Sequence, residues 1–277
     1  MKKFNFIKMQ SLGNDFVIID QLRHKFKLSK KNIRDISSRN YGIGCDQILI
    51  LEKSSKKDID FNYKIYNRDG TESGQCGNGA KCVGKYYFEK YGKRKKNINI
   101  KTISTNLAVT YINKNSIMVD MGKARTNYNI SVGKNYFLYK KRKYFFTPIY
   151  LGNPHAVFHV NKLSSFDLND FAEAFNKKKF FNKGVNISII ERIKDNHWRA
   201  RIFERGSGET NACGSAACAI MTSLQTTYLK ENSKIKYKSS YIHMNGGKAQ
   251  VKWSGKNEDS IYLIGNAKYI FNGTYTL

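Results

Sequence analysis

The sequence predicts an α/β (α+β) protein of two structurally similar half-domains with much antiparallel pairing. Three observations carry this. Residues 64–80, KIYNRDGTESGQCGNGA, recur as residues 201–217, RIFERGSGETNACGSAA, and an offset of 137 aligns Ile65 with Ile202, Arg68 with Arg205, Glu72 with Glu209 and Cys76 with Cys213. Leu12-Gly13-Asn14 recurs as Leu151-Gly152-Asn153 at an offset of 139. Both long copies read in the same order: strand, Gly-rich loop, Cys-Gly pair, helix. A repeat near half of a 277-residue chain indicates duplicated halves rather than a solenoid of short units. The halves are expected at 1–122 plus 266–277, carrying Cys76, and at 123–265, carrying Cys213.

The elements follow from local pattern. Phe61, Tyr63 and Ile65 alternate with polar neighbours, as do Trp198, Ala200 and Ile202, which is the period of a half-buried strand. Each strand runs into glycine, Asp69-Gly70 in one copy and Gly206-Ser207-Gly208 in the other, and then into the Cys-Gly pair. Beyond the pair, Ala80, Val83, Tyr87 and Tyr91 share one helix face, as do Ala217, Ile220, Met221, Leu224 and Tyr228. Small residues crowd both first turns, so that backbone or a ligand can approach closely. Further strands are expected at 47–51, 98–103, 107–112, 116–120, 155–160, 185–190, 248–253 and 260–264. Helices are expected at 29–39, 80–91, 167–176 and 216–229.

Composition narrows the function. The N-terminal residues MKKFNFIKMQSLGNDF break any apolar run with Lys8, Gln10 and Asn14, so they do not form a signal peptide. No apolar stretch approaches the ~20 residues of a membrane span. A cytoplasmic protein without membrane contact is expected. The five cysteines, Cys45, Cys76, Cys82, Cys213 and Cys218, are odd in number and lack Cys-x-x-Cys spacing, which argues against a disulfide framework, a redox dithiol and a zinc site. The formal net charge of +28 is spread along the chain, with runs at 93–96, 140–143 and 177–179 that read as solvated loops. No nucleic-acid-binding motif accompanies them, so no nucleic-acid partner is expected.

Each aligned cysteine sits where a helix begins, and there unpaired N–H groups and the helix dipole favour an anion. Such a position lowers a thiol pKa and enriches the thiolate. The N–H groups at Gly77-Asn78 and Gly214-Ser215 can hold a carboxylate. Two thiols on opposite sides of its α-carbon could then invert it, one removing the proton and the other supplying one. The bland alternative is a pair of buried cysteines retained by duplication.

The segments LGNDF (12–16), GIGCDQ (42–47), YNRDGTESGQCGNGAKC (66–82), GNPHAVF (152–158) and ERGSGETNACGSAACA (204–219) resemble the motifs of the diaminopimelate epimerase family. The resemblance implies two α/β half-domains, each a mixed or antiparallel sheet wrapped around a central helix. It implies cofactor-independent, metal-free interconversion of LL- and meso-diaminopimelate for lysine and peptidoglycan precursors by a homodimer, with its site in the cleft between the halves. It implies Cys76 and Cys213 as the base and acid. Gly77, Asn78, Gly214 and Ser215 would hold the reacting carboxylate, with Asn14 and Gln47 nearby. Asn67, Asn153, Asn186, Glu204 and Arg205 would bind the amino-acid end that does not react, and His155 and Glu204 would tune the thiols. Asn14 and Asn153 also read as turn residues after glycine, and His155 as a core histidine.

The chain departs from that pattern at Gln10-Ser11, where His-Gly is usual, at Lys81 for Arg, and at Ala216 for Gly. Two rivals remain at this level. One is a two-cysteine racemase or epimerase for proline or hydroxyproline, which would leave Asn67, Asn186, Glu204 and Arg205 without polar partners. The other is a duplicated amino-acid-binding protein without catalysis.

Overall fold

The structure, a computed structural model, describes residues 3–92, 95–126, 135–164, 166–182, 184–228 and 238–277. Lys93 and Arg94 of the first basic run and Leu229 of the last predicted helix lie outside them, as does the side chain of Tyr228. The chain divides into two units, Met1–Asp120 with Gly265–Leu277, and Met121–Ile264.

The first unit opens with the hairpin β1 (Lys3–Ser11) and β2 (Asn14–Gln21). Helix α1 (Lys30–Ser37) then crosses over to β3 (Gln47–Glu52), parallel to β2. Ser29 starts α1 by accepting the Asn32 N–H while Asn32 returns the contact to the Ser29 N–H. Next come β4 (Phe61–Asn67), antiparallel to β3, and helix α2 (Gly77–Lys90). Strand β5 (Asn97–Lys101) is parallel to β4, and β6 (Asn106–Asn113) and β7 (Ser116–Asp120) complete an antiparallel meander.

The second unit repeats this path. β9 (Arg142–Tyr150) and β10 (Pro154–His159) form the hairpin, α3 (Leu168–Lys177) crosses to the parallel β11 (Asn186–Lys194), and β12 (His197–Glu204) pairs back antiparallel. After the short β13 (Gly208–Thr210) comes α4 (Gly214–Ser223), which continues as a π-helical turn, Leu224–Tyr228. β14 (Ser239–Met244) is parallel to β12, and β15 (Gly247–Lys252) and β16 (Tyr262–Gly265) follow antiparallel. The equivalence extends to single bridges: Tyr66 faces Glu72, and Phe203 faces Glu209, at the same offset of 137 as the sequence repeat.

One strand breaks the simple succession. β8 (Tyr136–Tyr139) flanks β9, whereas the strand flanking β1 is the C-terminal β17 (Lys268–Thr276). The chain end therefore supplies to the first unit what β8 supplies to the second. The basic run at 140–143 is not simply a solvated loop: Lys140 and Lys141 have φ of 47° and 63° and make the two-residue turn of the β8–β9 hairpin, and Arg142 and Lys143 begin β9. Positive φ at both turn residues matches the strand twist, and the turn needs it more than it needs glycine.

Burial explains why the middle strand of each unit is apolar throughout. Ile48, Leu49, Ile50 and Leu51 are all buried, and so are Ile187, Ser188, Ile189 and Ile190, because each strand is covered on both faces. Ile48 and Ile50 pack with Phe4, Phe6, Val17, Ile19, Ile33 and Ile36 on the α1 side. The corresponding core of the second unit is aromatic, built on Phe137, Phe146, Phe158, Phe171 and Phe175. The other face is taken by α2 against β1, β2, β3, β6 and β7, and by α4 against β9, β10, β11, β14 and β15. Each sheet thus wraps its helix.

Close wrapping fixes the side chains allowed in the first turn. A Cβ on Gly79 would lie 2.2 Å from the Tyr63 hydroxyl and 3.2 Å from Leu49 Cδ1. Tyr63 is 1% exposed and cannot move aside. Gly79→Ala should therefore destabilise the protein by about 1–3 kcal/mol, the cost of overpacking a dense core. Thermal denaturation checks this, and adding Tyr63→Phe should recover part of the loss by removing the clashing oxygen. A Gly79→Ala protein with unchanged melting would contradict the packing.

Candidate functional site

In the first unit the residues singled out from sequence converge on the N-terminal end of α2. Asn14 begins β2, Gln47 begins the parallel β3, and Asn67 ends the antiparallel β4 directly opposite Gln47. The Gln47 Nε2 donates to Asn67 Oδ1 at 2.9 Å, and Asn67 Nδ2 donates to the Thr71 hydroxyl at 3.1 Å. Cys76 is the N-cap of α2, with extended φ of −147° and ψ of 106°. Its sulfur accepts the Gly79 N–H at 3.3 Å and lies 3.9 Å from Asn14 Oδ1. The Tyr63 hydroxyl donates to the Cys76 carbonyl at 3.4 Å. Gly77 and Asn78, both buried, occupy the first helical positions, where no carbonyl of the helix reaches their N–H groups. Gln47 Oε1 and Asn78 Oδ1 are buried acceptors that receive no hydrogen bond from the protein.

The second unit brings its set together in the same way. Asn153 precedes β10, Asn186 begins β11 and Glu204 ends β12. Cys213 is the N-cap of α4, with Gly214 and Ser215 at the first helical positions. The Cys213 sulfur lies 3.4 Å from the Ser215 hydroxyl. The Glu204 carboxylate accepts the Thr210 hydroxyl at 2.7 Å. The Arg205 N–H donates to Asn186 Oδ1 at 2.9 Å, which leaves the Asn186 amide its own N–H groups to donate. The Arg205 side chain, exposed, runs over Gly184, whose backbone has φ of +73° and where a Cβ would come within 2.8 Å of Arg205 Cδ.

One expectation is reversed. A helix start favours the thiolate, yet the Cys213 thiol is pushed well above its ordinary value. Burial is the main cause, and the neighbouring Glu204 carboxylate adds to it. The Ser215 hydroxyl and the Ala216 N–H offset it only in part. Removing the sulfur from water costs its anion more than the helix end returns. Ala216 itself is fully buried, as are the packing cysteines Cys45, Cys82 and Cys218. Burial raises the Cys45 thiol to about 11 and the Cys82 thiol further.

His155 is fully buried, and burial lowers its pKa to about 3, so the ring is neutral. Its Nε2 lies 2.8 Å from Asn153 Oδ1 and its Nδ1 receives no hydrogen bond from the protein. An N–H left unpaired in the core costs more than an unprotonated ring nitrogen, so the proton belongs on Nε2 and points at Asn153. Among the described residues, its hydrogen bond is therefore to the Asn153 amide and not to a thiol. Sequence reasoning gave no role to Tyr63, Thr210, Gly184 or Asp46. Asp46 lies inside a quoted motif, next to Gln47, and its carboxylate accepts the Asn14 Nδ2 at 2.9 Å. Among the described residues no cluster of three or more His, Cys, Asp or Glu has the arrangement of a metal site.

The departures from the family pattern are accommodated. The Ser11 hydroxyl donates to the Asn266 carbonyl at 2.7 Å, and Gln10 Oε1 accepts the Gly13 N–H at 3.0 Å. Lys81 is buried, with its ammonium where a Cβ on Gly265 would come within 2.9 Å.

Comparison with known proteins bears on the same residues. The family model described as Diaminopimelate epimerase matches residues 6–127 and 147–270. A protein named diaminopimelate epimerase from Blochmanniella pennsylvanica (strain BPEN) is 36% identical over 280 residues, covering 98% of this chain and 99% of that one. One of the same name from Buchnera aphidicola subsp. Baizongia pistaciae (strain Bp) is 33% identical over 285 residues, covering 99% and 96%. Among solved structures, a Bacillus anthracis phenazine biosynthesis protein of the PhzF family superposes with a TM-score of 0.72 at 16% identity, covering 100% of both chains. A hydroxyproline epimerase from Agrobacterium vitis also reaches 0.72, at 11% identity, covering 99% of this chain and 91% of that one. At such identities these two show the fold alone.

The Glu204 carboxylate and the Cys213 sulfur repel as two anions, so neutralising the carboxylate should make the thiolate easier to form. Glu204→Gln is expected to shift the pH profile of Cys213 alkylation to lower pH, read by peptide mass spectrometry on the folded protein. A profile that stays in place, or moves up, would contradict the assignment.

Proposed function

The chain belongs to the diaminopimelate epimerase family, and we propose that it interconverts LL- and meso-diaminopimelate with Cys76 and Cys213 as the paired base and acid. The supporting observation is that the two cysteines are N-caps of equivalent helices, each followed by a buried glycine and a second position with main-chain N–H groups to offer. One thiolate takes the α-proton and becomes a thiol. The electron pair is left on the α-carbon and drawn into the carboxylate. The other thiol gives its proton to the opposite face and becomes a thiolate. The N–H groups of Gly77, Asn78, Gly214 and Ser215 bind the carboxylate and stabilise the charge that builds on it. A thiol raised in pKa, as Cys213 is, holds its proton at rest and is a stronger base once ionised, which suits a weakly acidic carbon.

The buried acceptors Gln47 Oε1 and Asn78 Oδ1 support binding of an ammonium group. Asn67, Asn153, Asn186, Glu204 and Arg205 serve the amino-acid end that does not react. Arg205 offers the planar fork that a carboxylate fits, and Glu204 takes on a second task as the group that sets the Cys213 thiol. His155 contributes through Asn153, whose amide it orients. Nothing in this scheme calls for a metal or cofactor.

The reaction belongs in the cytoplasm, and the described residues contain no helix long and apolar enough to cross a membrane. A homodimer is supported by Tyr269, Ile270 and Phe271, three consecutive apolar side chains exposed on β17.

Two experiments bear on the reading. Cys76→Ala and Cys213→Ala should each lower kcat by roughly 10²–10⁴-fold, the usual contribution of a general acid or base. An active single-cysteine protein would refute the pair. Arg205→Ala should raise the barrier for diaminopimelate by about 2–3 kcal/mol, roughly 30- to 150-fold in kcat/KM, while both thiols stay open to alkylation. Lysine, lacking the distal carboxylate, should be turned over very poorly by the unmodified protein. Equal kcat/KM for lysine or proline and for LL-diaminopimelate would overturn the substrate assignment.

A further inference from the structure

Behind Asn14 lies a network of charge that the described residues of the second unit do not reproduce. The Asp46 Oδ2 accepts both the Asn14 Nδ2, at 2.9 Å, and the Asp15 N–H, at 3.1 Å, and its Oδ1 accepts Arg39 NH2 at 2.9 Å. Asp15 answers from the other side: its Oδ1 accepts the Asp46 N–H at 3.1 Å and Arg39 NH2 at 2.7 Å. Its Oδ2 accepts Arg39 NH1 at 3.1 Å and the buried Lys8 ammonium at 2.5 Å. Lys8 also donates to the Gly44 carbonyl. Burial opposes ionisation of Asp15, but Arg39 and Lys8 outweigh it and hold the carboxyl at about 2. Two carboxylates, one guanidinium and one ammonium are thereby locked across the first residues of β2 and β3.

The chemistry of Asp46 leaves Asn14 no choice of orientation. A carboxylate only accepts, so the Asn14 amide must turn its N–H₂ toward Asp46 and its oxygen away. That oxygen is the atom 3.9 Å from the Cys76 sulfur, where it can accept only from a thiol S–H. A second partner of the sulfur, the Gly79 N–H at 3.3 Å, donates and so favours the thiolate. Resting on the function proposed above, we propose that Asp46, clamped by Arg39, is a positioning residue that fixes the Asn14 amide. Cys76 is thereby given one partner for its thiol form and another for its thiolate.

The second unit supports this by contrast. By strand register Gln47 corresponds to Asn186 and Phe16 to His155, so the counterparts of Asp46 and Asp15 are Val185 and Pro154. Neither can hold an amide or a guanidinium. The Asn153 oxygen is instead taken by His155, so that amide is set by a neutral ring and by its opposite end. The clamp is a property of the Cys76 side.

The test reads Cys76 itself. Tyr63 on β4 and Cys82 on α2 are titratable neighbours, both raised by burial and uncharged in the neutral range. The charged groups behind it are Asp15, Asp46, Lys8 and Arg39. In the full-length protein without substrate, iodoacetamide labelling of Cys76 is followed against pH by peptide mass spectrometry. In Asp46→Asn the new side chain can donate to Asn14, whose amide is then free to turn an N–H toward the sulfur. The Cys76 profile should move to lower pH, with labelling at pH 7 faster by roughly 3- to 10-fold, a tenfold change being one pKa unit. Asp46→Glu should restore the profile at least in part, and Cys213 should be unmoved. Arg39→Gln, at a half-exposed side chain, should shift Cys76 in the same direction by less, and it decides the matter if Asp46→Asn does not fold. An unmoved Cys76 profile in a folded variant would overturn the proposal, as would an equal shift at Cys213. If the shift appears but Cys76→Ala retains epimerase activity, the positioning stands and the catalytic reading fails.

Discussion

A helix whose first turn is buried must find partners for N–H groups that none of its own carbonyls can reach. Most proteins meet this with a serine, threonine or aspartate cap and then bury the helix flank, not its tip. Here the tips of α2 and α4 are enclosed by their own sheets, and the caps are cysteines. The enclosure forces small residues into the first turn, because strands pass at contact distance, as the Tyr63 hydroxyl does beneath Gly79. It also leaves donors at Gly77, Asn78, Gly214 and Ser215 that an anion can satisfy. Small first-turn residues and main-chain donors left without helix carbonyls are thus consequences of a single packing choice made twice.

The same enclosure sets the acid–base character of the sulfurs, in competition with the helix end. Donors at a helix N-terminus lower a thiol pKa, whereas removal from water raises it. At Cys213 burial wins and Glu204 reinforces it. At Cys76 the sulfur has both a donor, Gly79, and an acceptor, Asn14, bound to a carboxylate network that the described residues of the other unit do not contain. Duplication supplied two similar sites. Unlike surroundings have since made them chemically distinct, which would suit the acid and base of the proposed mechanism.

Much of this was legible in the sequence because it lies in local pattern. The offset of 137 between cysteine blocks foretold equivalent strands, loops and helices, and the Tyr66–Glu72 and Phe203–Glu209 bridges repeat at that same offset. The alternation at 61–65 and 198–202 marked β4 and β12 because one face of each strand is buried. β17 escaped notice for the opposite reason: nearly all its side chains are exposed, so pairing with β1 alone holds it and no alternation is required. β9 was hidden by Pro148 and by the basic run that turns into it. At the site, residue types could be named from motifs, but not the direction in which Asn14 or Asn153 presents its amide. That direction is set by Asp46 and His155 in three dimensions. The thiol at Cys213 was misjudged because the helix start is visible in sequence and the depth of burial is not.

The proposed mechanism, two thiols serving one carbon from opposite faces, makes a distinctive isotopic demand. The protein is mixed with LL-diaminopimelate in deuterated water and stopped after a small fraction of turnover. Proton return from the thiol that took it regenerates substrate with its original hydrogen, while inversion draws a solvent deuteron from the other thiol. The inverted α-carbon of the meso product should therefore carry deuterium while the recovered LL substrate remains protiated. Protium retained at the inverted carbon, or deuterium entering recovered substrate as fast as product forms, would mean a single base serving both faces and would contradict the paired cysteines.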